Sequence, residues 1–326
     1  MTVTSSTSAP AGAVRRVLLL THTGRPEARS VARSFITGLT AHGIMVRLLA
    51  GEAKDLDVEP EDYSPVLELT ESEAEAGKDC ELALVIGGDG SILRAAEITH
   101  GDRVPVLGVN LGHVGFLAEA EPEEVDFTIE AIVGSRYTVE DRLTLDVQVT
   151  LDGQPISSTF AVNEASVEKS ARERMIEVLV EIDGRPLSRW SCDGVVCATP
   201  TGSTAYNFSA GGPVVWPQVE ALCLVPISAH ALFARPMVTG PDSVIAIEVI
   251  ARPDGAAVLW CDVRRTVELP PGARVEVRRG IEPVRLARLH EAPFTDRLVA
   301  KFGLPVDGWR GEGERRLRVG RGSEAP

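Results

Sequence analysis

One turn of the chain combines several glycines with a single carboxylate. Residues 87–91 read Gly-Gly-Asp-Gly-Ser, after an apolar run at Leu82–Ile86 and before a helix predicted over Ser91–Thr99. Glycines let a backbone approach a ligand closely, and the free N–H groups at a helix N-terminus attract phosphate. Asp89 follows a strand, at the edge where ligands bind in open α/β sheets. These features predict phosphoryl chemistry centred on Asp89. The alternative is that Asp89 and Ser91 only turn the chain and cap the helix.

Two further segments carry groups suited to a nucleotide. Asn110–Leu117 contains Gly112 and Gly115 after an apolar run, so it either shapes a second wall of the same cleft or is an ordinary loop with unusual dihedral angles. Asn163 and Glu164 lie between two strand-like stretches. An amide beside a carboxylate offers a donor and acceptors that suit a sugar diol, although such a pair is unremarkable in isolation.

A fourth segment is rich in hydroxyl groups. Asp193 and Gly194 are followed by Thr199–Gly212, a run of small and hydroxyl-bearing residues with one tyrosine, Tyr206, that can stack on a base. Glycine loops with many hydroxyls are usually plain turns. The length of this loop and its closing pair of glycines favour a binding loop.

Strands and helices alternate over residues 14–137, which predicts an α/β domain with a parallel sheet. A helix is predicted from Pro26 to His42, because proline is common at the first helical position. Residues 51–79 hold eleven acidic residues against Lys54 and Lys78 and are expected to form a solvated loop with at most a short helix. The predicted strands are Val14–Leu20, Ile44–Leu49, Leu82–Ile86 and Val104–Val109.

The pattern changes near Tyr137 to alternation of apolar and polar residues, the period of half-buried strands. Asp152-Gly153 and Asp183-Gly184 fit two-residue hairpin turns, since glycine tolerates the positive φ of those turns. Residues 138–289 are therefore predicted to form an all-β domain. Its strand candidates are 143–151, 176–182, 244–250, 257–260, 266–269 and 274–277.

The ends of the chain are predicted separately. A final helix is expected over Phe294–Phe302, in a segment 290–306 that completes the α/β domain. Residues 1–13 and 307–326 are expected to be a disordered leader and a disordered tail. The leader has neither a positively charged start nor an apolar core, so it does not resemble a signal peptide, and a cytoplasmic protein is expected.

Composition excludes several classes of function. The formal net charge is −14, and no basic face stands out, so nucleic acid is not expected as a partner. No stretch approaches the ~20 apolar residues that span a bilayer, so no membrane partner is expected. The five cysteines are irregularly spaced without a CxxC pair, which indicates neither a zinc site nor a disulfide framework.

Together the four segments resemble the NAD kinase family, in its actinobacterial type. Gly87–Ser91 alone is shared with lipid kinases and phosphofructokinases, whereas Asn110–Leu117, Asn163-Glu164 and Thr199–Gly212 in this order are far more specific. The resemblance extends over roughly residues 14–305. It implies phosphorylation of the 2′-hydroxyl on the adenosine ribose of NAD, giving NADP, with ATP or polyphosphate as the donor.

The resemblance also implies roles for individual residues. Asp89 would accept the proton, with Gly90 and Arg94 beside it in the nucleotide site. Asn163 and Glu164 would hold ribose hydroxyls. The remaining implied site residues, which line the pocket or cradle the adenosine, are Arg174, Asp193, Thr204, Ala205, Tyr206, Asn207, Phe208 and Ser209.

A divalent cation, Mg²⁺, and a homodimer or homotetramer are further implications of the resemblance. Two departures from the family pattern are visible: Ser91 stands where threonine is more frequent, and Val263 where glycine often follows the aspartate. If residue 263 needs a positive φ, Val263 is strained. Two other functions remain open from the residues: another kinase with the same turn, such as a lipid kinase, and a dinucleotide-binding regulator without catalytic activity.

Overall fold

The computed structural model describes residues 3–5 and 14–306, with gaps at 113–114, 171–173, 251–255 and 291–292. The first part of the chain alternates strands and helices. Its elements are β1 (Val3–Ser5), β2 (Arg16–Thr21), α1 (Pro26–Ala41), β3 (Met45–Leu49), α2 (Ala50–Asp55), β4 (Leu67–Thr70), β5 (Leu82–Ile86), α3 (Asp89–Thr99), β6 (Val106–Val109), α4 (Val125–Val133) and β7 (Thr138–Arg142).

The second part is built almost entirely of strands. Its elements are β8 (Leu145–Leu151), β9 (Gln154–Ala161), β10 (Glu164–Lys169), β11 (Ile176–Ile182), β12 (Arg185–Cys192), β13 (Gly194–Ala198), α5 (Tyr206–Ser209), β14 (Leu222–Ile227), β15 (Met237–Thr239), β16 (Ile245–Val249), β17 (Ala257–Cys261), β18 (Arg265–Leu269), β19 (Arg274–Arg279), β20 (Val284–Arg288) and α6 (Phe294–Phe302).

The first sheet has the strand order β1-β7-β20-β6-β5-β2-β3-β4. Strands β20, β6, β5, β2, β3 and β4 run parallel to one another, as the alternation of strands and helices predicts. At one side of the sheet, β7 runs antiparallel to both of its neighbours, β20 and β1. The fold class, an α/β domain with a parallel sheet followed by a mainly-β domain, is confirmed.

Two strands beyond the predicted domain boundary join the first sheet, and the boundary itself stays a prediction. Strands β7 and β20 lie inside the range 138–289 that was assigned to the all-β domain, yet they pair with each other and extend the first sheet. Alternation of apolar and polar residues reports a half-buried strand but carries no information on which sheet the strand joins. Strand β1 also lies within the expected disordered leader. The rest of the leader and the tail 307–326 fall outside the described residues.

The acidic segment 51–79 contains the short helix that was predicted, but the rest of it is not the solvated loop that its charge predicts. It contains α2 and β4, and β4 pairs with β3 as the outer strand of the parallel sheet. Leu56, Val58 and Leu67 of this segment are buried. The few apolar residues among the acids anchor the segment, so its carboxylates are held in place close to the rest of the domain.

The mainly-β domain consists of two antiparallel six-stranded sheets. Their orders are β15-β14-β13-β10-β17-β18 and β12-β11-β16-β19-β8-β9, and apolar residues from both form one buried core. The hairpin turns at Asp152-Gly153 and Asp183-Gly184 have positive φ at both positions, which confirms the predicted turns. None of the helices in the described part of the chain is long and apolar enough to span a bilayer.

Candidate active site

A large cleft of about 1290 Å³ lies where the carboxyl end of the parallel sheet meets the sheet that contains β10 and β17. One wall comes from the ends of β2 and β5 and from α3, and the other comes from the mainly-β domain. The cleft is lined by Thr21, His22, Thr23, Gly24, Arg25, Gly88, Gly90, Ser91, Leu93, Arg94, Asn163, Glu164, Ser166, Glu168, Lys169, Ala205, Tyr206, Trp260, Asp262, Val263 and Arg264.

The glycine turn brings backbone, rather than the Asp89 side chain, to the cleft. Asp89 begins α3, and its carboxylate accepts hydrogen bonds from the backbone N–H groups of Phe116 and Leu117, both at 3.1 Å. A β-carbon at Gly115 would overlap the Asp89 carboxylate, so any larger residue there would push the carboxylate aside. Asp89 thus anchors the loop after β6. Neither Asp89 nor Ser91 makes a side-chain cap on α3.

Arg94 is fixed in the first wall by two carboxylates of the acidic segment. Its Nη1 donates to Glu52 Oε1 at 2.6 Å, and its Nη2 donates to Glu73 Oε1 at 2.5 Å. Glu52 is buried, and its other oxygen accepts from the backbone N–H of Thr21 at 2.7 Å. Burial raises the pKa of Glu52, while the hydrogen bonds from Arg94 and Thr21 oppose that rise.

Asn163 and Glu164 stand at the start of β10 in the second wall. The buried carboxylate of Asp262 accepts from the backbone N–H groups of Val162 at 2.9 Å and Asn163 at 2.7 Å. Glu164 is only 3% exposed, and its Oε2 has no hydrogen-bond partner among the described residues. Burial, followed by the charge of Asp262, raises the pKa of Glu164 to about 8. The structure places the pair in one cleft with Gly90 and Arg94.

The hydroxyl-rich loop is tied to this pair. Thr199 Oγ1 donates to the backbone oxygen of Val162 at 2.6 Å. A β-carbon at Gly202 would overlap the backbone of Asn163, so only glycine fits there. Tyr206 lines the cleft, and burial raises the pKa of its hydroxyl, with a further rise from the neighbouring Glu168.

The other predicted site residues divide into cleft and support. Ala205 lines the cleft, whereas Asn207 is fully buried and donates to the backbone oxygens of Ser203 and Pro213. Thr204 donates to the backbone oxygen of Thr201 at 3.3 Å. Phe208 and Ser209 are exposed and lie outside the cleft lining, and Phe208 packs on Phe302 of α6 at 4.7 Å between ring centroids.

Asp193 and Arg174 are not among the lining residues. Asp193 reaches the cleft indirectly, because its carboxylate pairs with Lys169, a lining residue, at 2.5 Å. Arg174 is exposed just before β11. Within the described ranges, no group of three or more His, Cys, Asp and Glu side chains is placed to hold a metal ion.

Sequence reasoning missed an entire part of the first wall. Residues 21–25 follow β2 and line the cleft beside the glycine turn. The signal was available, since ligands bind at the carboxyl ends of parallel strands and β2 is adjacent to β5. Lys169 and Trp260 were also missed. They stand on antiparallel strands, where no local motif marks them.

The chain matches two family models that together span most of its length. Residues 17–137 match the ATP-NAD kinase N-terminal domain, and residues 162–289 match the ATP-NAD kinase C-terminal domain. It is 59% identical over 299 residues to NAD kinase 2 of Streptomyces coelicolor, which is 91% of this chain and 97% of that protein. It is 58% identical over 307 residues to the NAD kinase of Thermobifida fusca, 93% of each chain.

A solved structure agrees with the sequence relatives. The yeast NADH kinase complexed with NADH superposes with a TM-score of 0.82 at 25% identity, covering 91% of this chain and 90% of that one. The predictions of the family and of an NAD kinase are thereby confirmed, and these comparisons favour neither a lipid kinase nor a non-catalytic regulator. The chain belongs to the ATP-NAD kinase family, alongside its actinobacterial members.

Proposed function

We propose that this chain transfers the terminal phosphoryl group of ATP to the 2′-hydroxyl on the adenosine ribose of NAD, giving NADP. The observation that carries the proposal is the composition of the cleft. One wall offers a glycine turn at a helix N-terminus, and the other offers the Asn163-Glu164 pair. The first wall suits phosphates and the second suits a sugar diol.

The phosphate end of the cleft uses positioning and charge. Phosphoryl transfer has a loose transition state, so catalysis depends on alignment and neutralisation more than on a strong base. The backbone around Gly88 and Gly90 and the guanidinium of Arg94 lie at this end. We assign Mg²⁺ to the donor itself, as part of the Mg–ATP substrate, because Mg²⁺ commonly binds through substrate phosphates and few protein ligands. It neutralises charge on the phosphates.

Asp89 is assigned as the acceptor of the ribose hydroxyl proton. Each of its oxygens accepts one backbone N–H and retains a second lone pair. The two amides hold the carboxylate in one orientation, next to Gly88 and Gly90 of the cleft. In this structure the carboxylate faces those amides and is not part of the cleft lining, so the assignment requires it to turn toward the ribose hydroxyl when the substrates bind.

The dinucleotide end of the cleft is assigned to the second wall. Asn163 and Glu164 hold the ribose hydroxyls, and the ring of Tyr206 stacks on the base beside Ala205. Glu164 enters this role mainly as a neutral acid, since its pKa is raised to about 8. A protonated carboxyl both donates and accepts, which also matches a diol.

The remaining predicted residues are assigned to support. Asn207 and Thr204 hold the loop through backbone contacts, Phe208 joins it to α6, and exposed Ser209 follows Phe208 at the end of α5. Asp193 positions Lys169. Arg174 is proposed to contact ligand only from the rim.

We also propose a cytoplasmic homodimer or homotetramer. Large apolar side chains are exposed in the segment that precedes the edge strand β15 in the chain, among them Leu232 and Phe233. Exposed apolar surface of this kind is typical of subunit contacts. Light scattering coupled to size-exclusion chromatography measures the state directly, and a monomer at micromolar concentration contradicts this assignment.

One assay tests the reaction. The purified chain is incubated with Mg²⁺, NAD and either ATP or polyphosphate, and NADP is measured with an NADP-specific dehydrogenase. Parallel samples with NADH in place of NAD establish the preferred acceptor. Formation of NADP that depends on both substrates is expected. Binding of NAD in calorimetry without any NADP formed would instead make the chain a dinucleotide-binding regulator.

A further inference from the structure

The acidic segment reaches the cleft through Arg94. Three of the five N–H donors of this guanidinium are engaged: Nη1 by Glu52, and Nε and Nη2 by Glu73, at 3.2 and 2.5 Å. Both carboxylates belong to the acidic segment 51–79, whose composition predicts a solvated loop with no role in the site. Arg94 also lines the cleft beside the glycine turn, so its position affects the site directly.

The two carboxylates differ in how firmly they are held. The side chain of Glu52 is 9% exposed, and its second oxygen accepts the backbone N–H of Thr21, at the end of β2. Glu52 therefore ties β2 to α3 and cannot leave without stranding a buried charge. The side chain of Glu73 is 55% exposed, and Arg94 is the only partner it has among the described residues. Glu73 can turn into solvent at little cost.

The charges show why this difference matters. One arginine with two carboxylates has a net charge of −1, which repels a phosphate. The Arg94–Glu52 pair alone is neutral, and with Glu73 withdrawn the guanidinium recovers the N–H groups on Nε and Nη2 as donors. A triphosphate offers more anionic oxygens than one carboxylate does, so it competes well for those donors.

We propose that Glu52 is a positioning residue that fixes Arg94 at the phosphate end of the cleft, and that Glu73 is a displaceable counter-ion which an anionic substrate replaces. This inference rests on the proposed function, because it takes the phosphate donor as the anion. It assigns the acidic segment a role in donor binding. It also predicts that Glu→Gln substitutions at these two partners of Arg94 change KM for ATP in opposite directions.

The test compares Glu52→Gln and Glu73→Gln with Glu75→Gln, a matched control that removes the charge of an exposed carboxylate in the same segment. For each protein, KM values for ATP and NAD, kcat and the melting temperature are measured. Glu73→Gln is expected to lower KM for ATP about two- to fivefold, with KM for NAD and melting temperature unchanged. Glu52→Gln is expected to raise KM for ATP at least fivefold, and Glu75→Gln to change neither.

The double variant Glu73→Gln/Arg94→Lys shows whether the effect passes through Arg94. The lower KM for ATP should disappear in it, because lysine cannot present the same planar set of donors. Equal effects of Glu73→Gln and Glu75→Gln would overturn the proposal, since they indicate only the loss of general repulsion. A Glu52→Gln variant that melts earlier but keeps its KM for ATP would reduce Glu52 to a structural tie. If Glu52→Gln fails to fold, Glu73→Gln decides alone.

Calorimetric titration of Mg–ATP and of polyphosphate into wild type and Glu73→Gln, without NAD, separates this inference from the reaction itself. Tighter binding to Glu73→Gln supports the displaceable counter-ion even when no NADP is formed. Unchanged affinity for both anions overturns it even when the wild-type chain is an active kinase.

Discussion

The two walls of the cleft hold their polar groups by different means. At Arg94 in the first wall, long side chains meet one another: Arg94 is fixed by Glu52 and Glu73, and part of this contact is exposed to solvent. In the second wall, the groups are held by backbone. Asp262 accepts from consecutive backbone N–H groups at 162–164, and Gly202 packs against the backbone of Asn163.

This difference separates adjustable from rigid parts of the site. Ion pairs between partly exposed side chains contribute little to stability and rearrange readily. Backbone contacts in a buried sheet leave no room for a shift, because protein interiors are close-packed. Changes in the first wall should therefore alter binding and turnover, and changes in the second wall should alter folding.

The largest effect is expected from Asp89→Asn in the first wall. Loss of a positioned proton acceptor should lower kcat on the order of 10²–10⁴-fold. One of the two amide hydrogen bonds to the side chain is also lost, at a cost of about 1.5–3 kcal/mol, so kcat is measured well below the melting temperature. Gly115→Ala is the control, because it disturbs the same contact and keeps the carboxylate. An equal loss of kcat in both variants would make Asp89 an anchor only.

The next effect is expected from Gly202→Ala in the second wall. The added β-carbon would overlap the backbone of Asn163, which cannot move without disrupting the start of β10. A loss on the order of 3 kcal/mol in the free energy of unfolding is expected from denaturant titration. Gly90→Ala is the matched change in the first wall, with open space around the new methyl group and a place on α3. It should be neutral or slightly stabilising. Equal losses would erase the difference between the walls.

Local pattern predicted the elements well. The bounds of β5 and α6 coincide with the predicted ranges, because each is marked in the sequence alone by an apolar run or an amphipathic repeat. The two Asp-Gly turns were found because their dihedral angles require those residues. Motifs also marked the glycine turn and the Asn163-Glu164 pair, and both of these segments line the cleft.

Contacts between distant segments could not be predicted. Asp262 accepts from the backbone N–H of Val162, and these residues are 100 positions apart. Glu52 reaches Arg94 across 42 positions, in a segment where eleven acidic residues look alike in sequence. To choose the buried one, Glu52, one must know that the chain just after β3 lies against the end of β2. That β7 and β20 join the first sheet could not be predicted for the same reason.

A pH-dependent effect is expected from Glu164→Gln. The pKa of Glu164 is raised to about 8 by burial and by Asp262, with Glu168 adding to the rise, so the folded state favours the protonated acid. That contribution to stability is complete below the unfolded pKa near 4.3 and is lost as pH rises toward 8. Glutamine is neutral throughout. From pH 5.5 to pH 7, the stability of wild type should fall relative to Glu164→Gln by about 2 kcal/mol.

Denaturant titrations of both proteins at the two pH values measure this change. Glu75→Gln serves as the control, because it removes an exposed carboxyl and should show no such slope relative to wild type. A stability difference between Glu164→Gln and wild type that is constant with pH would show that Glu164 is ionised across this range. It would then accept, rather than donate, the hydrogen bond to a ribose hydroxyl.

The smallest effect is expected from Val263→Gly, at the rim of the second wall. Val263 has a positive φ of 58°, a conformation in which valine is strained. A left-handed conformation costs a residue with a β-carbon roughly 1–2 kcal/mol, and glycine avoids that cost but loses about 0.4–1 kcal/mol of chain entropy on folding. The side chain is 69% exposed, so little apolar burial is lost. Val263→Gly should therefore stabilise the chain by about 0.5–1 kcal/mol.

Val238→Gly is the matched control, since Val238 is 53% exposed on β15 without a positive φ, and it should destabilise. If both variants lose stability equally, the backbone at 263 does not hold the strained conformation, and this rim of the second wall is as adjustable as the first.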